Sequence, residues 1–196
     1  MSILQILHTT NFDEEMDRLR MESFPGVYKR STSLEEFDSR SWFPLIYIDN
    51  ELAAYGRLTP GPSSVFEVWT QGKAEIPTGT DVVDLGRCMV SPKFRGHDLF
   101  QVVCLEAFLV ASKLGYRQIV GAVIPGRRVA AVLYGLGFRN SGVAVEAIEP
   151  NKTVLIQPLV ISISGNVEHW IDLKMQILSE IRKKGFEIAD EGDRLY

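Results

Sequence analysis

The sequence predicts a mixed α/β fold that opens with a strand, carries a hairpin and contains one strand–helix–strand crossover. Three observations lead there. Two strand-like runs, Pro44–Asp49 and Leu52–Leu58, meet at the tight turn Asp49-Asn50-Glu51, which is a hairpin pattern. Two short apolar runs, 82–90 and 117–124, flank a long apolar stretch, 95–114, that is too long for a strand. Strands joined through such a helix are predicted to lie parallel. The chain also ends on a well-delimited amphipathic helix.

Taken in order, residues 3–8 read as a first strand. Asn11 with Glu14 three places on resembles a capping box, and Phe12, Met16, Leu19 and Phe24 recur at helical spacing until Pro25-Gly26. Ser33 to Arg40 reads as a second short helix. After the hairpin, residues 59–64 and 70–81 are polar, Pro- and Gly-containing loops. Val82 to Val90 is a strand stopped by Ser91-Pro92. The 95–114 helix ends at Gly115, and 117–124 is apolar throughout, as a central strand should be. Gly126 to Gly135 is a short helix; Phe138–Ile148 and Thr153–Ile163 are two further strands. In the final helix Glu168 lies in the first turn and Arg182-Lys183-Lys184 precede Gly185, charges that complement the helix dipole. Val167, Trp170, Ile171, Leu178 and Ile181 define its expected apolar face.

The chain has 196 residues, 45% hydrophobic and 23% charged, with a formal charge of −4. That length predicts a single domain over residues 1–196. The composition excludes a disordered chain, a collagen and a disulfide scaffold. The acidic balance argues against a sequence-independent nucleic-acid partner, which needs a basic surface. Cys88 and Cys104 are the only cysteines. They read as two reduced thiols, so a cytoplasmic location is expected. The first residues show no signal-peptide pattern, and no run of about 18 apolar residues predicts a membrane span. His8, His97 and His169 stand apart from any ligand grouping, so no metal is expected.

The chemistry concentrates in Asp84–Gly96. A strand runs into a turn with Arg95 and Gly96, then into a helix whose first N–H groups are free to meet an anion. Arg95 adds a fork of donors suited to phosphate. Here the sequence resembles the GCN5-related N-acetyltransferase superfamily, whose pyrophosphate loop reads Arg/Gln-x-x-Gly-x-Gly/Ala. The counterpart is Arg95-Gly96-His97-Asp98-Leu99-Phe100, with Asp98 and Phe100 replacing both glycines. Leu133-Tyr134 with Gly137-Phe138 looks like the family's Leu-Tyr-x-x-x-Gly-Phe segment.

A narrower resemblance is to acyl-homoserine-lactone synthases and N-acyl amino acid synthases. It rests on four stretches in order: Arg20-Met21-Glu22-Ser23-Phe24, Glu35-Glu36-Phe37-Asp38, Gly56-Arg57-Leu58-Thr59-Pro60 and Asp84-Leu85-Gly86-Arg87-Cys88-Met89-Val90. The resemblance implies a mostly antiparallel central sheet flanked by helices, with an extra C-terminal helix. It implies transfer of an acyl group from acyl-CoA or acyl-carrier protein to the amine of a small molecule, an amino acid or homoserine-lactone-like acceptor. Asp84 would assist deprotonation of the amine and Tyr134 would reprotonate the leaving sulfur. Backbone around Cys88, Met89 and Val90 would steady the oxyanion. Arg95, Gly96, His97 and Asp98 would hold the donor phosphate, while Arg20, Phe24, Glu35, Asp38, Arg57 and Arg87 would line the acceptor side.

Each signal has a plainer reading. Arg57 and Arg87 lie in apolar strands, where an Arg needs a carboxylate partner; Asp84 and Glu35 or Asp38 are the candidates. Regular alternation would put Asp84, Gly86 and Cys88 on one face and Leu85, Arg87 and Met89 on the other, unless a bulge intervenes. Tyr134 is equally a core tyrosine. Phe24, Trp42, Phe66 and Trp69 are core or pocket wall, and the final helix is either a pocket cover or a homodimer face. Two rivals stand beside the long-chain reading. One is a plain acetyl-CoA-dependent acetyltransferase; the other is a non-catalytic module that binds a thioester ligand, kept open by the missing glycines. The enzyme reading requires the strands to part between residues 88–92 and 121–125.

Overall fold

The computed structural model describes residues 1–23, 36–61, 70–149 and 152–190. The elements are β1 (Ser2–Thr9), α1 (Glu14–Ser23), β2 (Phe43–Ile48), β3 (Glu51–Pro60), β4 (Val82–Val90), a 3₁₀ turn (Pro92–Phe94), α2 (Leu99–Lys113), β5 (Gln118–Val123), α3 (Arg128–Gly135), β6 (Arg139–Asn140), β7 (Val145–Glu149), β8 (Lys152–Ser162), α4 (Val167–Lys183) and β9 (Phe186–Asp190). They form one sheet in the order β6-β8-β5-β4-β3-β2-β1-β9, with β7 on β8. Among the described residues only β4–β5 and β1–β9 run parallel; the other pairs are antiparallel. The expected mixed, mostly antiparallel sheet with flanking helices is therefore observed.

The hairpin forms because Asp49 and Asn50 both accept positive φ, at 50° and 65°, as a two-residue turn with the native twist demands. On one sheet face Leu4, Ile6, Ile46, Leu58, Val83 and Leu85 pack with α2 and α4 into the main core. On the other, Phe43, Leu45, Tyr55 and Met89 pack with Met16 and Leu19 of α1. Helix α2 lies between the sheet and α4. That position explains its nearly all-round apolar sequence, since a helix covered on both sides needs no polar stripe.

Four boundaries differ from the sequence reading. The helix expected from residue 95 begins at Leu99, because Gly96 and Asp98 take left-handed backbone, φ 88° and 59°. The run 138–148 divides into β6 and β7 with a break at 141–144. Residues 186–190, not expected as a strand, form β9 against β1. In α4 the inward positions are Trp170, Lys174, Ile177, Leu178 and Ile181, whereas Ile171 is exposed. Pro25-Gly26, Phe66, Trp69 and residues 33–35 of the expected second helix lie outside the described residues, and residues 36–38 are helical.

Candidate active site

The site begins with an irregularity in β4. Tyr55 pairs with Met89 and Arg57 with Gly86, so Gly56 alone stands opposite Arg87 and Cys88. This is a β-bulge, and Arg87 carries it with φ 54°. The bulge reverses the alternation. Val83 and Leu85 face α2 before it; Cys88 and Val90 face α2 after it, while Met89 joins the α1 side. The regular alternation that grouped Cys88 with Asp84 is thus corrected: Cys88 packs beside Val103 and Gly56 on the far face.

On the α1 side the bulge gathers the charged residues. Asp38 accepts hydrogen bonds from Arg20 Nη1 and Nη2, at 2.9 and 3.3 Å, and from Arg57 Nη1 at 2.8 Å. Arg20 Nε donates to the Tyr55 hydroxyl at 3.1 Å, and that hydroxyl lies 3.5 Å from Met89 Sδ. The Arg20 guanidinium stacks 4.2 Å from the Phe12 ring centroid. Ser41 and Thr59 share a hydroxyl–hydroxyl bond at the buried edge of this cluster. Asp84 and Arg57 both reach Gly86: a Cβ there would stand 3.2 Å from Asp84 Oδ2 and 3.8 Å from Arg57 Nη2. Glycine at 86 leaves room for the two charges to converge.

Burial and charge set the protonation states. Burial pushes the Asp84 carboxyl up to about 6, against the opposing pull of the Arg57 and Arg87 guanidinium groups. Burial likewise raises the Tyr55 hydroxyl to about 12, partly offset by Arg20. For Arg20, burial would lower the pKa, but the Asp38 and Tyr55 contacts outweigh it and raise it. Among the described residues the cluster brings Arg20, Arg57 and Arg87 together with Asp38 and Asp84.

Next to this cluster the sheet opens. The β4–β5 ladder pairs Val82 with Gln118, Val83 with Ile119 and Asp84 with Val120, and then ends, although β4 continues to Val90 and β5 to Val123. At the fork a Cβ on Gly121 would be 3.2 Å from the Leu85 carbonyl oxygen. Ser91 N–H donates to Ala53 of β3. Alternate N–H groups point to opposite neighbours, so the Val90 N–H points to the side that β5 has left. A wedge with a free N–H thus stands beside the charged cluster, and the strands part where the enzyme reading requires it.

The turn after β4 has its own electrostatics. Arg95 and Gly96 are exposed, and Leu99 and Phe100, the first residues of α2, have no intrahelical acceptor for their N–H groups. Asp98, which would repel a phosphate, is paired with Lys184 at 3.3 Å; Lys184 also reaches the Gly96 carbonyl at 3.4 Å. His97 packs edge-on against Phe186 of β9.

Tyr134 stands apart. The residue is 43% exposed and its hydroxyl donates to Asn140 Oδ1 at 2.7 Å. Two residues separate it from Gly137, where the family segment has three. One residue is about 100° of helix rotation, and Leu133 takes the inward position at 6% exposure. Its contacts do not join it to the charged cluster. Phe24 and Glu35 lie outside the described residues. No local spacing marks Tyr55; Gly86 was read only as part of the stretch around Asp84, and Lys184 only as a charge at the end of the last helix.

No family model matches the chain, and no curated protein matches it by sequence. Solved structures match it by shape. The acyl-homoserine lactone synthase LasI superposes with a TM-score of 0.62 at 18% identity, over 87% of this chain and 94% of that one. A Bacillus subtilis acetyltransferase in complex with CoA gives 0.59 at 15%, over 81% and 98%. The CoA-dependent acyl-homoserine lactone synthase BjaI, with SAM and isopentyl-CoA, gives 0.59 at 14%, over 100% and 96%. This is the GCN5-related N-acetyltransferase fold. Within it, the wedge is the gap between β4 and β5, and the bulge at Arg87 sets which β4 side chains face α1. Among the described residues no helix is long and apolar enough to cross a membrane, and no three His, Cys, Asp or Glu side chains are gathered as a metal site requires.

Proposed function

We propose that the chain is an N-acyltransferase that moves an acyl group from acyl-CoA or acyl-carrier protein to the amine of a small molecule, an amino acid or a homoserine-lactone-like compound. The observation that carries this is the adjacency of the β4–β5 wedge to a cluster of guanidinium and carboxylate groups that includes the buried Asp84. The wedge suits the pantetheine arm of a thioester donor. The guanidinium groups suit the carboxylate of an amino-acid acceptor, because a planar fork of donors matches two carboxylate oxygens.

In this reading the acceptor amine arrives as an ammonium ion and gives a proton to Asp84, directly or through water. A carboxyl near 6 is largely ionised at neutral pH and is a better base than an ordinary aspartate. The free amine attacks the thioester carbonyl carbon, and the Val90 N–H steadies the oxyanion. The attached nitrogen loses its extra proton to solvent, collapse breaks the C–S bond, and the thiolate leaves and takes a proton. Tyr134 reaches that thiolate only if its bond to Asn140 breaks, so solvent is the nearer proton source. Lys184 cancels Asp98 and leaves Arg95 and the α2 N-terminus to hold the donor phosphate.

The test is a thiol-release assay with acetyl-, butyryl-, octanoyl- and dodecanoyl-CoA, and the matching acyl-carrier proteins, against amino acids and homoserine lactone. Turnover with a chain longer than acetyl, lost in Asp84→Asn, is the expected result. A clear preference for acetyl-CoA would overturn the long-chain reading. Turnover undiminished in Asp84→Asn would overturn the assignment of the base.

A further inference from the structure

In a sheet, a side chain shares its face with those two residues away along the strand and with its direct partners across the ladders. For Asp84 these neighbours are Val82 and Gly86 on β4, Thr59 on β3 and Val120 on β5. Val82, Thr59 and Val120 are fully buried, and Ala74 and Ile76 pack over the two valines. Of the four, Gly86 alone is partly exposed. A molecule that crosses the sheet face to the Asp84 carboxylate therefore passes over Gly86.

The backbone does not ask for glycine there, because Gly86 lies outside the left-handed region. Two other strand glycines with ordinary backbone are explained by packing. A Cβ on Gly56 would stand 2.7 Å from Val103 Cγ1, and one on Gly121 would stand 3.2 Å from the Leu85 carbonyl oxygen. At Gly86 the groups that a Cβ would meet are those of the charged cluster, Asp84 Oδ2 at 3.2 Å and Arg57 Nη2 at 3.8 Å. A glycine inside a strand weakens it and marks a place where a ligand or another backbone comes close. Arg57 of β3 is the ladder partner of Gly86, whereas on the β5 side the ladder has already ended at Asp84. Gly86 thus borders the wedge.

We propose that Gly86 is the specificity-determining residue for the acceptor: its missing side chain is the passage through which the amine comes to Asp84. This rests on the acyl-transfer reading, in which Asp84 takes the acceptor's proton. That transfer needs the amine within about 2.6–3.2 Å of the carboxylate, or one water away. A methyl group on residue 86, 3.2 Å from Asp84 Oδ2, would stand where the nitrogen or the bridging water has to be. The Arg57 guanidinium at the other edge is already bonded to Asp38 at 2.8 Å, which moderates its repulsion of an incoming ammonium.

The experiment is steady-state thiol release by the full chain, by Gly86→Ala and by Gly86→Val. The donors are acetyl- and octanoyl-CoA; the acceptors are the common amino acids and homoserine lactone. The acceptor KM is expected to rise at least tenfold in Gly86→Ala and further in Gly86→Val. The donor KM is expected to stay within twofold, and kcat/KM to keep the limb near pH 6 that Asp84 gives the wild type. An unchanged acceptor KM in both variants would overturn the proposal. A fall in kcat alone would also overturn it, since Gly86 would then only support Asp84. An equal rise in the donor KM would do the same, since the change would be a general loss of structure. A wild type that releases no thiol with any of these pairs would instead overturn the acyl-transfer reading, and this assignment with it.

Discussion

Asp38 and Asp84 are both 3% exposed, on the same side of the same sheet, and both neighbour Arg57. They are nevertheless in different situations. Asp38 sits in a fork of three guanidinium hydrogen bonds that tie α1, β3 and the turn at 36–40 together. Asp84 lies at the last rung before β4 and β5 part, and burial outweighs the attraction of its arginines. A buried carboxylate with enough donors organises structure. One with too few stays close to taking a proton, which is what a base requires.

The sharpest way to break this contrast is to make the same isosteric change at both sites. Asp84→Asn is expected to reduce kcat by roughly 10²–10⁴-fold, the usual worth of a general base, measured by thiol release. Its effect on stability has the opposite sign. The folded carboxyl is raised above its ordinary value, so the unfolded chain gives up its proton first, and this group costs stability as pH rises from about 4 to 6. The shift corresponds to at most about 3 kcal/mol. The variant, compared with the wild type in denaturant melts, should therefore gain relative stability between pH 4 and pH 7. Wild-type kcat/KM should rise with pH through a limb near 6 that the variant lacks.

Asp38→Asn is expected to destabilise the fold by about 3–5 kcal/mol, because it leaves buried guanidinium charge uncompensated; urea unfolding reads this directly. Equal stability losses at both positions would erase the distinction. A smaller effect is expected at the fork. Gly121→Ala places a methyl 3.2 Å from the Leu85 carbonyl, and overpacking of this kind costs about 1–3 kcal/mol. The donor KM should rise with it, since the wedge starts there. The least effect is expected from Tyr134→Phe, which removes one exposed hydrogen bond to Asn140; a change in kcat below about threefold fits a bond worth roughly 0.5 kcal/mol. A loss beyond a hundredfold would restore Tyr134 as the acid.

The arrangement of elements was legible because hydrophobic period and turn residues agree over most of the chain. The hairpin is announced by Asp49-Asn50, and the parallel crossover by an apolar helix between two apolar strands. The charged residues of the site were legible too, since an arginine inside an apolar strand demands a partner. Their grouping was not. Arg87 in a left-handed conformation leaves no mark in sequence, and one bulged residue is enough to exchange Cys88 for Met89 on the site face. Lys174 was illegible for a related reason: its burial depends on Glu106, 68 positions earlier. β9 has only five residues of mixed polarity, and its pairing with β1 is non-local.

That last pairing bears on how the molecule is assembled. Ser2 lies beside Phe186 and Ile6 beside Asp190, so one rim of the sheet is stitched from stretches near opposite ends of the sequence. Contacts so distant along the chain are slow to find each other. Until α4 has docked and delivered β9, β1 presents a bare row of amide and carbonyl groups that any other extended segment can join. Refolding yield should therefore fall with protein concentration more steeply than native stability alone would suggest, and the vulnerable interval is the wait for the final strand.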